Sequence, residues 1–208
     1  GTTVTGEEVL VAMGRVNNSD TLDCETGGVQ TKENGRIEVD EYGRTSADGV
    51  WALGDACNEF ELKHVANAEA RVVAHNLARP DNLRKFNHEV VPSGVFTHPQ
   101  IGVVGMTEAE ARATDRPIAV KIQKYGDVAY GWAMEDTTGF CKVIADRTTG
   151  EILGAHIIGP EASSLIQSFV TAMTFGITAR DFAEKQYWPH PALTELVENA
   201  LLGLDLEN

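Results

Sequence analysis

Two apolar runs, residues 139–145 (Gly-Phe-Cys-Lys-Val-Ile-Ala) and 152–158 (Ile-Leu-Gly-Ala-His-Ile-Ile), are separated only by Asp146 to Glu151, which contains a Thr149-Gly150 turn. Each run has strand length, and the connector is too short for a crossover, so the pair predicts an antiparallel hairpin. A lone hairpin is marginal in water, so this one needs further strands beside it and helices over a face.

The neighbouring sequence supplies both. Ser93 to Thr97 and Ile101 to Gly105 read as strands, and Ala119 to Lys124 alternates as a half-exposed strand should. Thr107 with Glu110 forms a capping box that opens a short helix. Glu161 to Phe175 is amphipathic and stops before Gly176, and Thr178 caps a second helix running to about Lys185. Ala192 to Leu202 makes a third, with Pro191 near its first turn and Leu193, Val197, Ala200 and Leu201 on one face. Strands grouped with helices, without β-α-β alternation, predict an α+β domain: an antiparallel sheet with helices.

The first part of the chain reads differently. Glu8 to Ala12 is nearly continuous in apolar residues, as in a buried strand, and leads into Gly14-Arg15. Gly27-Gly28 and Asn34-Gly35 mark turns, with a strand predicted at Arg36 to Val39. Val50 to Leu53 reads as a second buried strand, cut off by Gly54-Asp55. From Val65 to Leu77 the residues Ala66, Ala70, Val73, Ala74 and Leu77 recur at helical spacing, and Pro80 ends the helix. The charged, irregular stretch 81–91 marks a boundary, dividing the chain into 1–89 and 90–208.

Charge narrows the partners. The 31 acidic and 17 basic residues leave a net charge of -14, which repels nucleic acid and anionic membranes and fits a high-salt habitat and an ordinary acidic cytosolic protein about equally well. No stretch approaches the length of a membrane span, so a soluble, cytoplasmic protein is expected. Cys24, Cys57 and Cys141 are too few and too scattered for a disulfide framework, a CxxC pair or a zinc site. The chain starts with Gly1, not Met, and is expected to be a piece of something longer.

Two places carry chemistry. In Tyr187-Trp188-Pro189-His190-Pro191-Ala192-Leu193-Thr194-Glu195, the imidazole of His190 sits between two prolines, each of which fixes its own φ and keeps the preceding residue out of the helical region. His190 is therefore presented, and Glu195 can fold back toward it. A carboxylate on one ring nitrogen fixes the tautomer and leaves the other free for proton transfer. By spacing alone the stretch reads equally well as a stiff loop leading into a helix.

The second place is Gly54-Asp55. A carboxylate beyond the carboxyl end of a strand stands where open α/β sheets bind ligands, and Asp55 can accept hydrogen bonds from a polyol. A helix starting near Lys63 or His64 would aim its N-terminal amides at the same crevice. By residue type Asp55 reads more readily as a plain turn-former. His64, His75, His88, His98 and His156 have no companions at metal-ligand spacing, so no metal is expected, and Arg15 reads as a turn residue.

Taken in order, Ala12-Met13-Gly14-Arg15, Trp51-Ala52-Leu53-Gly54-Asp55-Ala56, Phe96-Thr97-His98-Pro99-Gln100-Ile101-Gly102 and His190-Pro191-Ala192-Leu193-Thr194-Glu195 resemble the motifs of the flavoprotein (pyridine nucleotide) disulfide oxidoreductases. Tyr125 to Phe140 and Gln186 to Leu204 are most similar to the mycothione reductase branch, with dihydrolipoamide dehydrogenases next. The Gly-rich FAD and NAD(P)H fingerprints and the CxxxxC redox disulfide of that family are missing, so the resemblance implies its C-terminal part. On that reading, residues 1–89 are the tail of the NAD(P)-binding domain and the closing segment of the FAD-binding domain, a small remnant of α/β domains. Residues 90–208 are then the dimerisation domain.

The resemblance further implies FAD and NAD(P)H in the whole enzyme, a homodimer, and a small-molecule disulfide or dithiol substrate. Gly54, Asp55, Leu62, Lys63, His64 and Val65 would contact FAD, although Lys63-His64 stands where relatives have Thr-Pro. His190 would be the acid/base, oriented by Glu195 and serving the other subunit's disulfide, across a cis His190-Pro191 bond. Taken alone, the piece would be a non-catalytic dimerisation module.

Overall fold

The computed structural model describes residues 1–207, which form two compact units, Gly1–Asn87 and a second beginning at His88.

The first unit has little regular structure. Its one long helix is α1 (Lys63–Ala78), ahead of which come a 3-10 turn at Gly54–Ala56 and two isolated bridges, Thr31 to Ile37 and Arg44 to Trp51. The strands expected at Glu8 to Ala12, Arg36 to Val39 and Val50 to Leu53 are absent from it. Residues 8–12 are exposed coil, and the other two stretches each contribute one bridge. An apolar run becomes a strand only where a neighbour takes its main-chain groups, and no ladder within this unit does so.

The helix is where the spacing places it, but its buried face differs. Val65, Glu69, Val73 and Asn76 point inward, while Leu77 is exposed. Two polar side chains lie on that face because both serve the main chain. Asn76 Nδ2 donates to the Tyr42 and Arg84 carbonyls, its Oδ1 accepts from the Arg84 amide, and Glu69 accepts from Gly54.

The second unit is a five-stranded sheet in the order β1-β2-β5-β4-β3, antiparallel throughout. Its elements follow as β1 (Ser93–Val95), β2 (Gln100–Gly105), α2 (Glu108–Arg112), β3 (Ile118–Lys124), α3 (Ala129–Ala133), β4 (Phe140–Asp146), β5 (Ile152–Gly159), α4 (Ala162–Thr174), α5 (Ala179–Glu184) and α6 (Glu195–Leu202). This is the α+β arrangement, an antiparallel sheet with helices, that the hairpin called for.

Alternation along β4 divides the two faces. Cys141, Val143 and Ala145 meet Phe169 of α4 and Leu196, Val197 and Ala200 of α6, whereas Ile144 turns the other way, onto Ala111 of α2. The capping box at Thr107 and Glu110 forms, with the Glu110 carboxylate on the Thr107 amide at 2.8 Å. Close approach of α4 to β2 is set by Gly102, where a Cβ would fall 2.4 Å from the Ala162 carbonyl oxygen. The apolar faces of α4 and α6 are thus occupied by their own core, leaving Phe175 and Leu202 among the exposed apolar side chains.

Candidate functional site: a histidine–glutamate pair and a glycine–aspartate turn

The segment between α5 and α6 carries the first site. Its upstream end is tied to the last turn of α5, whose carbonyls lack intrahelical partners. Gln186 Nε2 donates to the Phe182 carbonyl at 2.8 Å, and Trp188 Nε1 donates to the Ala183 carbonyl at 3.0 Å. The Trp188 ring meets Phe182 edge-on at 5.5 Å, and Phe182 meets the fully buried Phe169 at 6.3 Å.

Downstream, residues 192–197 run through tight turns, with Glu195 N–H on the Ala192 carbonyl and Leu196 N–H on that of Leu193. The helix begins only at Glu195, three residues later than the sequence suggests, and Pro191 stays outside it. The Ala192 amide is the reason: it donates to Glu195 Oε2 at 3.2 Å, a bond that closes a turn ahead of the first helical residue.

This local winding brings the predicted pair together. His190 Nδ1 lies 2.8 Å from Glu195 Oε1, with the imidazole 67% exposed and the carboxylate 17%. The hydrogen bond from His190 holds the Glu195 carboxyl below the usual glutamate range, with help from the Ala192 amide. An ionised carboxylate only accepts, so Nδ1 carries the proton and Nε2 is the nitrogen left for exchange with solvent or a reacting group. The bond between His190 and Pro191 is cis, as the resemblance implies.

The two buried thiols of this chain are poor nucleophiles. Burial raises the Cys57 thiol to about 12, and burial also pushes Cys141 up. A nucleophilic sulfur needs thiolate near neutral pH, so neither cysteine suits that role.

The second site lies in the first unit. Gly54 adopts φ +69°, and a Cβ there would come within 3.0 Å of Ala66 Cβ on α1. Its amide is held by the buried Glu69 carboxylate, which also takes Asn58 Nδ2 at 2.9 Å. In the sequence, the only trace of Glu69 is a charge on the helix face that Val65 and Val73 bury. Fixed in this way, the turn presents Asp55 with half its side chain exposed.

Arg15 meets Asp55 at 3.2 Å and also reaches the Glu61 carbonyl, while Arg36 pairs with the Glu61 side chain at 3.1 Å. These four residues help line a cleft of ≈ 450 Å³. At the start of α1, Leu62 is half-buried and Lys63 and His64 are exposed; Val65 is turned into the core. Lys63 Nζ is on Asn67 Oδ1 at 2.9 Å, and the first turn has no side-chain cap. Along the cleft, two carboxylates and two guanidinium groups offer acceptors and donors to a group that carries hydroxyls and phosphates.

Other histidines do local work: His75 and His156 contact the Asn82 and Met106 carbonyls, each at 2.9 Å. Among the described residues no cluster of His, Cys, Asp and Glu is arranged to hold a metal ion, and no helix is long and apolar enough to cross a membrane.

Comparison with known proteins adds to these observations. Residues 91–201 match a family described as "Pyridine nucleotide-disulphide oxidoreductase, dimerisation domain", and residues 1–70 match "Pyridine nucleotide-disulphide oxidoreductase". Mycothione reductase of Mycobacterium tuberculosis is 57% identical over 98% of this chain and 45% of its own length. Dihydrolipoyl dehydrogenase of Haloferax volcanii is 38% identical over 94% of the chain and 42% of its own length. The chain thus spans a little under half the length of the curated relatives it matches.

Among solved structures, the HOCl-induced flavoprotein disulfide reductase RclA from Escherichia coli superimposes with a TM-score of 0.86 at 26% identity. It covers 92% of this chain and 44% of its own. LpdA from Mycobacterium tuberculosis gives 0.86 at 28% identity, over 97% and 44% respectively.

Proposed function

The chain belongs to the pyridine nucleotide-disulphide oxidoreductases, and from that premise we propose that it supplies the acid/base pair and the subunit interface of an FAD-dependent enzyme reducing a low-molecular-weight thiol disulfide. The observation that carries this reading is the His190–Glu195 bond of 2.8 Å on an otherwise exposed imidazole. The overall reaction balances as NAD(P)H + H⁺ + RSSR → NAD(P)⁺ + 2 RSH. Gly54, Asp55 and the start of α1 from Leu62 to Val65 would hold FAD, which would supply the two-electron link between nicotinamide and a protein disulfide.

Each later step needs a proton at sulfur. One freed protein thiol attacks RSSR as thiolate, so its proton passes to His190 Nε2; the first RS⁻ to leave takes that proton back as RSH. The second protein thiol then displaces the remaining RS, which leaves as RSH, and the protein disulfide reforms. Glu195 stabilises the imidazolium in between and keeps Nδ1 protonated throughout.

In this proposal residues 1–89 complete the nicotinamide and flavin domains, and residues 90–208 form the interface of a homodimer in which His190 serves the partner's thiols. Exposed Phe96, Trp132, Phe175 and Leu202 provide apolar surface for a second subunit. A cytoplasmic, reducing location suits the three free cysteines.

The 57% identity favours a mycothione-type disulfide as substrate. Relatives at 33% to 38% identity support a second reading, dihydrolipoamide oxidation with NAD⁺. The test is the full-length enzyme offered NADH or NADPH with mycothiol disulfide and with bis-γ-glutamylcystine, and separately NAD⁺ with dihydrolipoamide. Turnover of a thiol disulfide well above that of dihydrolipoamide is expected, and the reverse order would move the assignment to the second reading.

A further inference from the structure

We propose that Trp188 is a positioning residue for His190, setting where the imidazole stands while Glu195 sets how its ring is protonated. The inference rests on the acid/base assignment of His190.

Most of the segment between α5 and α6 faces water. Tyr187 is fully exposed, and Pro189, His190 and Pro191 are exposed as well. Trp188 is the exception upstream of the histidine. Its indole N–H is on the Ala183 carbonyl at 3.0 Å, and its ring packs on Phe182, which in turn packs on Phe169 in the centre of the unit. The segment is therefore moored to rigid core at Trp188 and, past the histidine, at buried Leu193 and at Glu195.

The backbone between mooring and imidazole has little freedom. Pro189 restricts ψ of Trp188 and fixes its own φ, and Pro191 restricts ψ of His190. A shift of the indole is consequently passed along the chain to the ring instead of being absorbed by soft dihedrals. The hydrogen bond to Glu195 does not replace this anchor, because Glu195 accepts from the His190 side chain and the Ala192 amide, both beyond Pro189. Proton transfer at a reacting sulfur is sensitive to displacements of about 1 Å.

The test uses the full-length, FAD-loaded homodimer and resolves the two half-reactions by stopped flow. Trp188→Phe keeps a stacked ring but removes the donor, and Trp188→Ala removes both. The expected slowing of the thiol–disulfide half-reaction is about 3–10-fold for Trp188→Phe and roughly 30–100-fold for Trp188→Ala. Flavin reduction by NAD(P)H should stay within about twofold of the parent.

The decisive arm is the double variant. If Trp188 acts through His190, Trp188→Phe on a His190→Gln background should slow the thiol step by less than about twofold more. The same factor in both backgrounds, or no slowing in the single variants, would overturn the proposal. Ile144→Val, on the opposite face of the sheet, should leave the thiol step unchanged; slowing there comparable to that of Trp188→Phe would mark a merely structural effect and overturn it too. Should Trp188→Ala fail to fold, Trp188→Phe alone decides. If His190→Gln itself leaves the thiol step intact, it is the acid/base assignment that has failed, and the two failures are told apart.

Discussion

Glu195 turns one carboxylate oxygen to His190 and the other to the main chain of the same turn: Oε1 lies 2.8 Å from Nδ1, and Oε2 lies 3.2 Å from the Ala192 amide nitrogen. One charge therefore orients the imidazole and closes the loop that carries it. The helix that follows begins at Glu195 itself, so the carboxylate also sits at its favourable, electropositive end.

Neutralising that charge should weaken both tasks, because Glu195→Gln leaves one acceptor oxygen for two donors, His190 Nδ1–H and the Ala192 amide. The substitution also loses the ionic stabilisation of the imidazolium. A fall of roughly 10–100-fold in the thiol–disulfide half-reaction is expected, with flavin reduction by NAD(P)H unchanged. Stopped-flow absorbance of the flavin in each half-reaction is the measurement.

Acid stability should depend on Asp146. The Thr149 amide and the Arg116 guanidinium, with the Thr148 amide, hold its carboxyl down to about 2. A folded pKa below the unfolded one contributes stability that is complete above the unfolded value and is lost as pH falls through the folded one. The window therefore runs from about pH 4 down to about 2, and the contribution is on the order of 2 kcal/mol. Chemical denaturation as a function of pH should show this loss in the parent and a much flatter curve in that window for Asp146→Asn, which starts less stable at neutral pH.

Gly102 should be intolerant of any side chain. Its Cβ would meet a backbone oxygen of α4 at 2.4 Å and Ile166 Cβ at 3.0 Å, and main chain at a helix start cannot swing aside. Gly102→Ala is expected to cost about 3 kcal/mol. A lowered denaturation midpoint checks it.

Glu69 should matter to the Gly54–Asp55 turn that is proposed to hold FAD. Glu69→Ala leaves the Gly54 amide and the Asn58 side chain without their acceptor, a loss of about 1–3 kcal/mol in the first unit. In the full-length enzyme, faster release of FAD, followed by the rise in free-flavin fluorescence, is the expected outcome.

The dimerisation unit was largely legible in the sequence, for local reasons. Three of its four strand pairs join elements consecutive in sequence, β2 with β5 being the long-range one, so the run at 139–145, its mate at 152–158 and the Thr107–Glu110 box each carry their own signal. The first unit was less so. Glu8 to Ala12 has the composition of a strand, but strand formation needs a ladder that composition does not encode. On α1, apolar periodicity pointed at Ala66, Ala70 and Leu77, whereas the buried face includes Glu69 and Asn76, whose burial follows from main-chain groups far away in sequence. His190 and Glu195 were readable because prolines and a short spacing define them; Trp188's indole bond to Ala183 was not, since nothing in the spacing marks it.

The most direct test of the account is His190→Gln in the full-length enzyme, with the two half-reactions resolved by stopped flow. Flavin reduction by NAD(P)H should keep its rate while the thiol–disulfide step slows by about 10²-fold or more. Equal impairment of flavin reduction, or an unimpaired thiol step, would contradict the role assigned to the histidine.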